Sequence, residues 1–229
     1  MKGRARRDGG RCCASIDSSV GAISAAKVRR FIVIGRTASA SGEFSLDDLP
    51  GSSGRLDVLL RCVRAALLVS HGIRRDVVVY LVLGGGERAP RVLRIDGGAV
   101  QFVRPDERSL ATLVKKALAR GEHAATAGFV ELKAGLAIAE GGLAAVLGDL
   151  GGAVPYVLDE RAPDLRASEL GSGASAFFIG DHLGLDAATR AELAALGART
   201  VSVGPLSIHS DDVVALVSNE LDRREAGWV

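Results

Sequence analysis

Three short loops, each directly after an apolar run, hold the residues best suited to ligand chemistry: Leu158-Asp159-Glu160, Gly180-Asp181-His182-Leu183-Gly184 and Gly204-Pro205-Leu206-Ser207-Ile208. Glycine immediately after a buried strand lets a ligand approach the main chain, whose N–H and C=O groups can read a flat heterocycle such as adenine. Any one of these loops, taken alone, reads more readily as a tight turn. Other mechanisms lack their parts. Gly84-Gly85-Gly86-Glu87 has neither the spacing of a dinucleotide fingerprint nor a Gly-Lys-Ser/Thr ending. The four histidines, His71, His123, His182 and His209, sit singly, and no pair has metal-ligand spacing, so no metal is expected. Gly171-Ser172-Gly173-Ala174-Ser175 has the composition of a nucleophile elbow but precedes a strand, which suits a flexible linker better.

The elements that must position these loops follow from hydrophobic pattern. Phe31-Ile-Val-Ile-Gly35 and Val77 to Leu83 read as strands buried on both faces of a parallel sheet. Between them, Leu56, Leu59, Leu60, Val63, Leu67 and Leu68 make a helical stripe stopped by His71-Gly72, which gives a βαβ unit. Val92 to Ile95 and Val100 to Val103, separated by Asp96-Gly97-Gly98, are expected to form a β-hairpin. Pro105-Asp106 opens a helix that ends at Gly121. The Ala- and Gly-rich stretch 122–153 is the least legible, with a strand expected near Phe129–Leu132 and a helix near Leu143–Leu150. Strands are expected at Val154–Leu158, Ala176–Ile179 and Thr200–Val203, with helices at Ala187–Leu196 and about Asp211–Leu221. The alternation predicts an α/β fold, a mostly parallel sheet with helices on both faces, in one domain spanning residues 29–229. In such folds ligands bind beyond the C-terminal ends of the strands, where the three loops fall.

Composition narrows the class. At 229 residues the chain can bury a sizeable core, and no apolar run approaches the roughly 18 to 20 residues of a membrane-spanning helix. Three cysteines, with Cys12 and Cys13 adjacent, give no disulfide framework and suit a reducing cytoplasm. Charge is uneven. Residues 1–30 carry a balance of +6 and the remainder −4, so the basic character belongs to the leader rather than to the body. Residues 1–28 lack apolar periodicity and read as a disordered basic leader, and synthesis is expected to start at Val28 from an alternative start codon. Eight arginines between Gly54 and Arg94 offer either a phosphate-contacting face or scattered solvated charges.

Nine segments, in order, resemble a known family: Phe31-Ile-Val-Ile-Gly35, Ser41-Gly-Glu-Phe-Ser-Leu-Asp-Asp-Leu49, Gly54-Arg-Leu-Asp-Val58, Ser70-His-Gly-Ile-Arg74, Val79-Tyr-Leu-Val-Leu83, Arg104-Pro-Asp-Glu-Arg-Ser109, Ile179-Gly-Asp-His-Leu-Gly184, Ser202-Val-Gly-Pro205 and Asn219-Glu-Leu-Asp222. Together they resemble the tRNA pseudouridine-54 N1-methyltransferases of the SPOUT superfamily over residues 29 to 223. The resemblance implies a C-terminal deep trefoil knot, S-adenosylmethionine bound in it, a homodimer as working unit, and tRNA as partner. Carried over residue by residue, it implies cofactor contacts at Leu158, Gly180, Val203, Gly204, Pro205, Leu206, Ser207 and Ile208, the same loops that the pattern alone singles out. At the further cofactor position, where the family pattern has cysteine, this chain has Val213; a main-chain contact there would survive and a thiol role would not.

The implied reaction asks for an in-line displacement at a methyl carbon, which positioning favours, and for removal of the N1 proton of pseudouridine. Asp57, flanked by Arg55 and Arg61, is the first candidate base, with the alternative that it is simply an N-terminal helix carboxylate; Asp212 is the second, with the same ambiguity. Arg36, Arg55 and Arg61 are the expected substrate contacts, against the alternative of solvent exposure. A non-catalytic RNA-binding protein of the same fold, or a SPOUT enzyme with a different RNA target, are the rival readings.

Overall fold

The computed structural model describes residues 28–121 and 128–228. The basic leader, residues 1–27, and its expected start site lie outside the described residues. In chain order the elements are β1 (Arg29–Ser39), α1 (Leu49–Ser52), α2 (Leu56–Leu67), β2 (Leu68–Val69), β3 (Gly72–Ile73), β4 (Val77–Gly85), β5 (Arg91–Asp96), α3 (Glu107–Arg120), β6 (Val130–Lys133), β7 (Leu136–Glu140), α4 (Gly142–Asp149), β8 (Val154–Leu158), β9 (Ser175–Gly180), α5 (Ala187–Ala195), β10 (Arg199–Val201) and α6 (Ser210–Glu225). The main sheet runs β10-β8-β9-β1-β4-β5-β7-β6. Its first five strands are mutually parallel and the other three continue antiparallel.

Why β1 is central is visible in its residues. Phe31 and Val33 point to one core, and Ile32 and Ile34 to the other, all with almost no solvent exposure. The first core is closed by α2, α3 and α6, through residues such as Leu59, Leu110 and Val217; the second receives Val146 of α4 and Leu193 of α5. Helices therefore cover both faces, as the alternating pattern predicts. On α2, the predicted stripe Leu56, Leu59, Leu60, Val63 and Leu67 is fully buried, and each such side chain contributes on the order of 1.5–3 kcal/mol by leaving water. The helix ends at Leu67 and Leu68 turns into the β2-β3 hairpin, so the stripe is one residue shorter than expected. The α3 boundaries are as read: Asp106 accepts from the Ser109 N–H at the N-cap and Gly121 closes the other end.

One expected element is absent, one observed strand is unexpected, and two strand ends fall elsewhere than predicted. Val100–Val103 forms no strand, so the predicted hairpin with Val92–Ile95 is absent; the free edge of β5 is taken by β7 instead. The Asp96-Gly97-Gly98 turn does form, with the Gly98 N–H donating to the Asp96 carboxylate, but the chain then leaves the sheet to bury Val100 and Val103. β7 itself, Leu136–Glu140, is not foreseen because it hides in the Ala-rich stretch; the strand and helix expected beside it appear as β6 and α4. Arg36, expected just after the first strand, lies within β1, which continues to Ser39. At the far end, β10 stops at Val201, and Ser202 makes an isolated parallel bridge with Asp164.

Arg91 joins the antiparallel half to α3. Its side chain is wholly buried, with its guanidinium donating to the carbonyls of Ala40, Leu118 and Gly121 and pairing with Glu140 at 3.0 Å. Arg91→Met leaves those carbonyls without their donors, and a buried acceptor without a partner costs about 1–3 kcal/mol. The expected result is a loss of about 3 kcal/mol in urea unfolding at pH 7, and a loss under about 1 kcal/mol would show the carbonyls to be satisfied otherwise.

Candidate active site

β8, β9 and β10 are neighbours and run parallel, so their C-terminal ends open side by side. The loops that leave them, together with the start of α6, line a cleft that is open to solvent on one side. Its walls include Leu158, Gly180, Val203, Gly204, Leu206, Ser207, Ile208 and Val213, so eight of the nine expected cofactor positions meet in one place. The ninth, Pro205, lies in the same loop but does not line the cleft.

Local chemistry explains the shape. Among the described residues, the N–H groups of Leu206, Ser207 and Ile208 donate to no other part of the chain, so they face outward as free donors. The loop is pinned at its root, where the Ser202 hydroxyl donates to the Gly204 carbonyl and accepts from the Gly204 N–H. On the opposite wall, a Cβ placed on Gly180 would sit 2.5 Å from the Gly184 carbonyl carbon, closer than real side chains come. Glycine is thus required there to fold the 180–184 loop back on itself. The Ser210 hydroxyl donates to the Gly180 carbonyl at 2.8 Å and fastens the start of α6 to the end of β9.

Sequence reasoning assigns Asp181 no role of its own. Its side chain is 1% exposed, accepts from the Arg36 N–H at 2.8 Å and the Leu183 N–H at 2.8 Å, and so locks the cleft loop to β1. A carboxylate directly after a strand-ending glycine was the available signal. Asp159 and Glu160 also line the cleft. The Asp159 carboxyl is held below the usual range by the Arg161 N–H, a pull that burial opposes and Arg190, 2.7 Å away, reinforces. It therefore stays an anionic acceptor at the rim.

The expected base and substrate residues lie beside this cleft rather than in its wall. Asp57 is the second residue of α2, in the first turn, and its carboxylate is 4% exposed. Arg55 holds it at 3.0 Å and Arg61 at 3.2 Å. Burial pushes the Asp57 carboxyl up, but the hydrogen bond and charge of Arg55, with the charge of Arg61, outweigh that and hold it below the usual range. Arg55 reaches it from a left-handed backbone, φ 67°, a conformation that costs about 1–2 kcal/mol for a residue with a Cβ. Arg61 continues to Glu107 of α3 at 3.4 Å and Asp211 of α6 at 4.0 Å. Arg36 is 41% exposed, with Nε 3.9 Å from Asp186. Asp212 is 62% exposed and 3.7 Å from His209 Nδ1. The structure thus joins Asp57, Arg55 and Arg61 in one cluster and keeps Asp212 apart from it. Among the described residues no group of three His, Cys, Asp or Glu could hold a metal, and no helix is long and apolar enough to cross a membrane.

A parallel sheet whose last strands end in one cleft is the architecture of an α/β ligand-binding protein, with its site beyond the strands' C-terminal ends. The model of the family described as "Putative SAM-dependent RNA methyltransferase" matches residues 28–226. Relatives named tRNA (pseudouridine(54)-N(1))-methyltransferase include one from Methanosarcina acetivorans, 39% identical over 87% of this chain and 93% of its own, and one from Halobacterium salinarum, 41% identical over 85% and 96%. The chain belongs to the tRNA (pseudouridine(54)-N(1))-methyltransferase family. The crystal structure of Archaeoglobus fulgidus Nep1 bound to S-adenosylhomocysteine shares the fold, with a TM-score of 0.60 and 17% identity over 88% of this chain and 99% of that one.

S-adenosylmethionine fits the cleft: the free N–H groups of 206–208 suit the edge of a purine, and the side chains of Asp159 and Glu160 suit ribose hydroxyls. Gly180→Ala should weaken S-adenosylmethionine binding about tenfold or more in calorimetry, about 1.4 kcal/mol, because the 180–184 loop must move; unchanged affinity would contradict that fit. For Asp57→Asn the expected loss is about 1–2 kcal/mol of stability at pH 7. Because the folded carboxyl titrates lower than the unfolded one, the wild-type advantage is full above about pH 4 and fades as pH falls through the folded value. Urea unfolding across pH 2–7 checks this, and a difference that grew on acidification would contradict it.

Proposed function

We propose that this chain transfers a methyl group to N1 of pseudouridine 54 in the T-loop of tRNA, in the cytoplasm and as a homodimer. The observation that carries the reading is the convergence of the three strand-end loops and the start of α6 on one main-chain-lined cleft, in a chain of this family. When bound, S-adenosylmethionine supplies the activated methyl group. The chain's part is positional. Leu158, Gly180, Val203, Gly204, Leu206, Ser207, Ile208 and Val213 enclose the cofactor, and Pro205 shapes their loop. Val213 contributes packing where a thiol contribution is unavailable.

An unpaired loop base can be splayed from its stack into a pocket, which is how RNA enzymes reach base atoms. Arg36 and Arg55, both about 40% exposed, are placed to meet RNA phosphates beside the cleft; Arg61, held by three carboxylates, acts more by fixing Asp57 and the start of α6. Of the two carboxylates, Asp212 suits the role of proton acceptor better. It is exposed on the first turn of α6, adjacent to the cleft-lining Val213, whereas Asp57 is already committed to two guanidinium groups. Asp57 orients Arg55 toward the substrate.

The knot implied by the resemblance is part of the same proposal. In its support, Arg224 of α6 donates to the carbonyls of Leu165, Arg166 and Ser168 in the connection between β8 and β9, and Arg61 of α2 lies 4.0 Å from Asp211 at the other end of α6. The Ser202 main chain also exchanges hydrogen bonds with Pro163 and Leu165. For the homodimer, the support is the exposure of Leu206 and Ile208 in the cleft wall and of Leu216 on α6, apolar side chains that a partner copy would cover.

Nucleoside mass spectrometry of tRNA from a strain lacking this chain should show loss of 1-methylpseudouridine, restored by the wild-type chain. In a purified assay, tRNA with uridine at position 54 should not be methylated. Persistence of the nucleoside in a strain with no second enzyme, or equal methylation of the uridine substrate, would refute the reading. Asp212→Asn should lower turnover by about 10²-fold with S-adenosylmethionine affinity retained, and full activity would remove it as the proton acceptor.

A further inference from the structure

Outside the lining of the cleft, the chain leaving β5 lays Phe102 open to solvent with 65% of its surface exposed. The Arg104 guanidinium sits 5.5 Å from the centre of its ring. Phe102 forms one wall of a depression whose other walls come from α3 and β6, with Leu113 in its lining and Lys116 and Lys133 at its edge. Among the described residues, no carboxylate lines it. Both lysines are exposed, and among the described residues neither makes a hydrogen bond or an ion pair. An exposed ring with a guanidinium over one face and two lysines lining the same depression is a poor surface for water and a poor one for a protein core.

We propose that this depression is a stacking subsite for an unpaired nucleotide of the RNA substrate, its base lying on Phe102 and its phosphates on Arg104, Lys116 and Lys133. The proposal rests on the reading of the chain as an RNA methyltransferase. Base-on-aromatic stacking tolerates any base, because every base has a π face, and flanking cations track the backbone. A second copy of this chain fits less well, since a two-fold contact would set like charges against like. The patch is mechanically joined to the proposed methylation site: Asp106 caps α3 just after Arg104, Glu107 on the first turn pairs with Arg61, and Arg61 reaches Asp57 and Asp211. A nucleotide held here would lie outside the cofactor cleft and would set the register of the RNA relative to it.

Fluorescence anisotropy with labelled tRNA tests the subsite in the full chain. Phe102→Ala and Phe102→Leu should each weaken binding about five- to a hundredfold, the effect of removing one stack. Phe102→Tyr should bind within about twofold of wild type, because the ring face is kept. S-adenosylmethionine affinity by calorimetry should be unchanged in all three. Lys116→Ala with Lys133→Ala should lower the slope of log affinity against log salt by about 0.7 for each phosphate no longer neutralised. Phe102→Ala or Phe102→Leu binding as tightly as wild type would overturn the subsite, as would a switch from dimer to monomer in Phe102→Ala, which would assign the ring to self-association. Wild-type protein that binds no tRNA would instead refute the underlying reading, and that failure shows before any variant is compared.

Discussion

Parallel pairing of β10, β8 and β9 is the constraint on which everything else in this molecule hangs. Parallel strands must all end at the same edge of the sheet, and these three are immediate neighbours. Their exits are therefore forced together, whatever the loops contain. What the loops add is a lack of bulk. Gly180 permits a backbone approach that no side chain would tolerate, and among the described residues the 206–208 run leaves its N–H groups unspent. Main-chain donors do not depend on side-chain rotamers, and Ser202 and Ser210 tie these loops to the strand ends beneath them.

The second level of organisation is ionic and lies on the α2 side. Arg61 touches carboxylates from α2, α3 and α6, and Asp57 receives both Arg61 and Arg55. One guanidinium thus couples three helices just where the cofactor cleft meets the arginine-bearing flank. Further down α6, Arg29 of β1 and Arg74 converge on Asp222, whose carboxyl is held below the usual range despite burial pushing it up. These contacts fix α6 along its length, which matters because its first turns, through Ser210 and Val213, complete the cleft.

Much of this was legible in the residues. Short apolar runs ending in glycine mark β1, β4 and β9, the run Val154–Leu158 marks β8, and the stripe on α2 is legible nearly to its last residue. The loops after β8, β9 and β10 could be singled out from strand order and glycine placement alone. That their occupant is S-adenosylmethionine came only from the resemblance, since a main-chain cleft carries no side-chain signature of its ligand. Segment 122–153 resisted because Ala and Gly give neither period, and Val100–Val103 misled because strand-like residues there serve to bury two valines after a turn. Asp181 was overlooked for a different reason: its main partner, the Arg36 N–H, is 145 positions away in the chain, and no local pattern encodes it.

The central claim is that three loops and the start of α6 form one binding site. Hydrogen–deuterium exchange with and without S-adenosylmethionine measures this directly, because bound ligand protects the main-chain N–H groups it covers. The account predicts slowed exchange in 158–160, 180–185 and 203–213 together, with little change in 28–33 or 91–96. Protection confined to one of those loops, or centred on another part of the sheet, would contradict it.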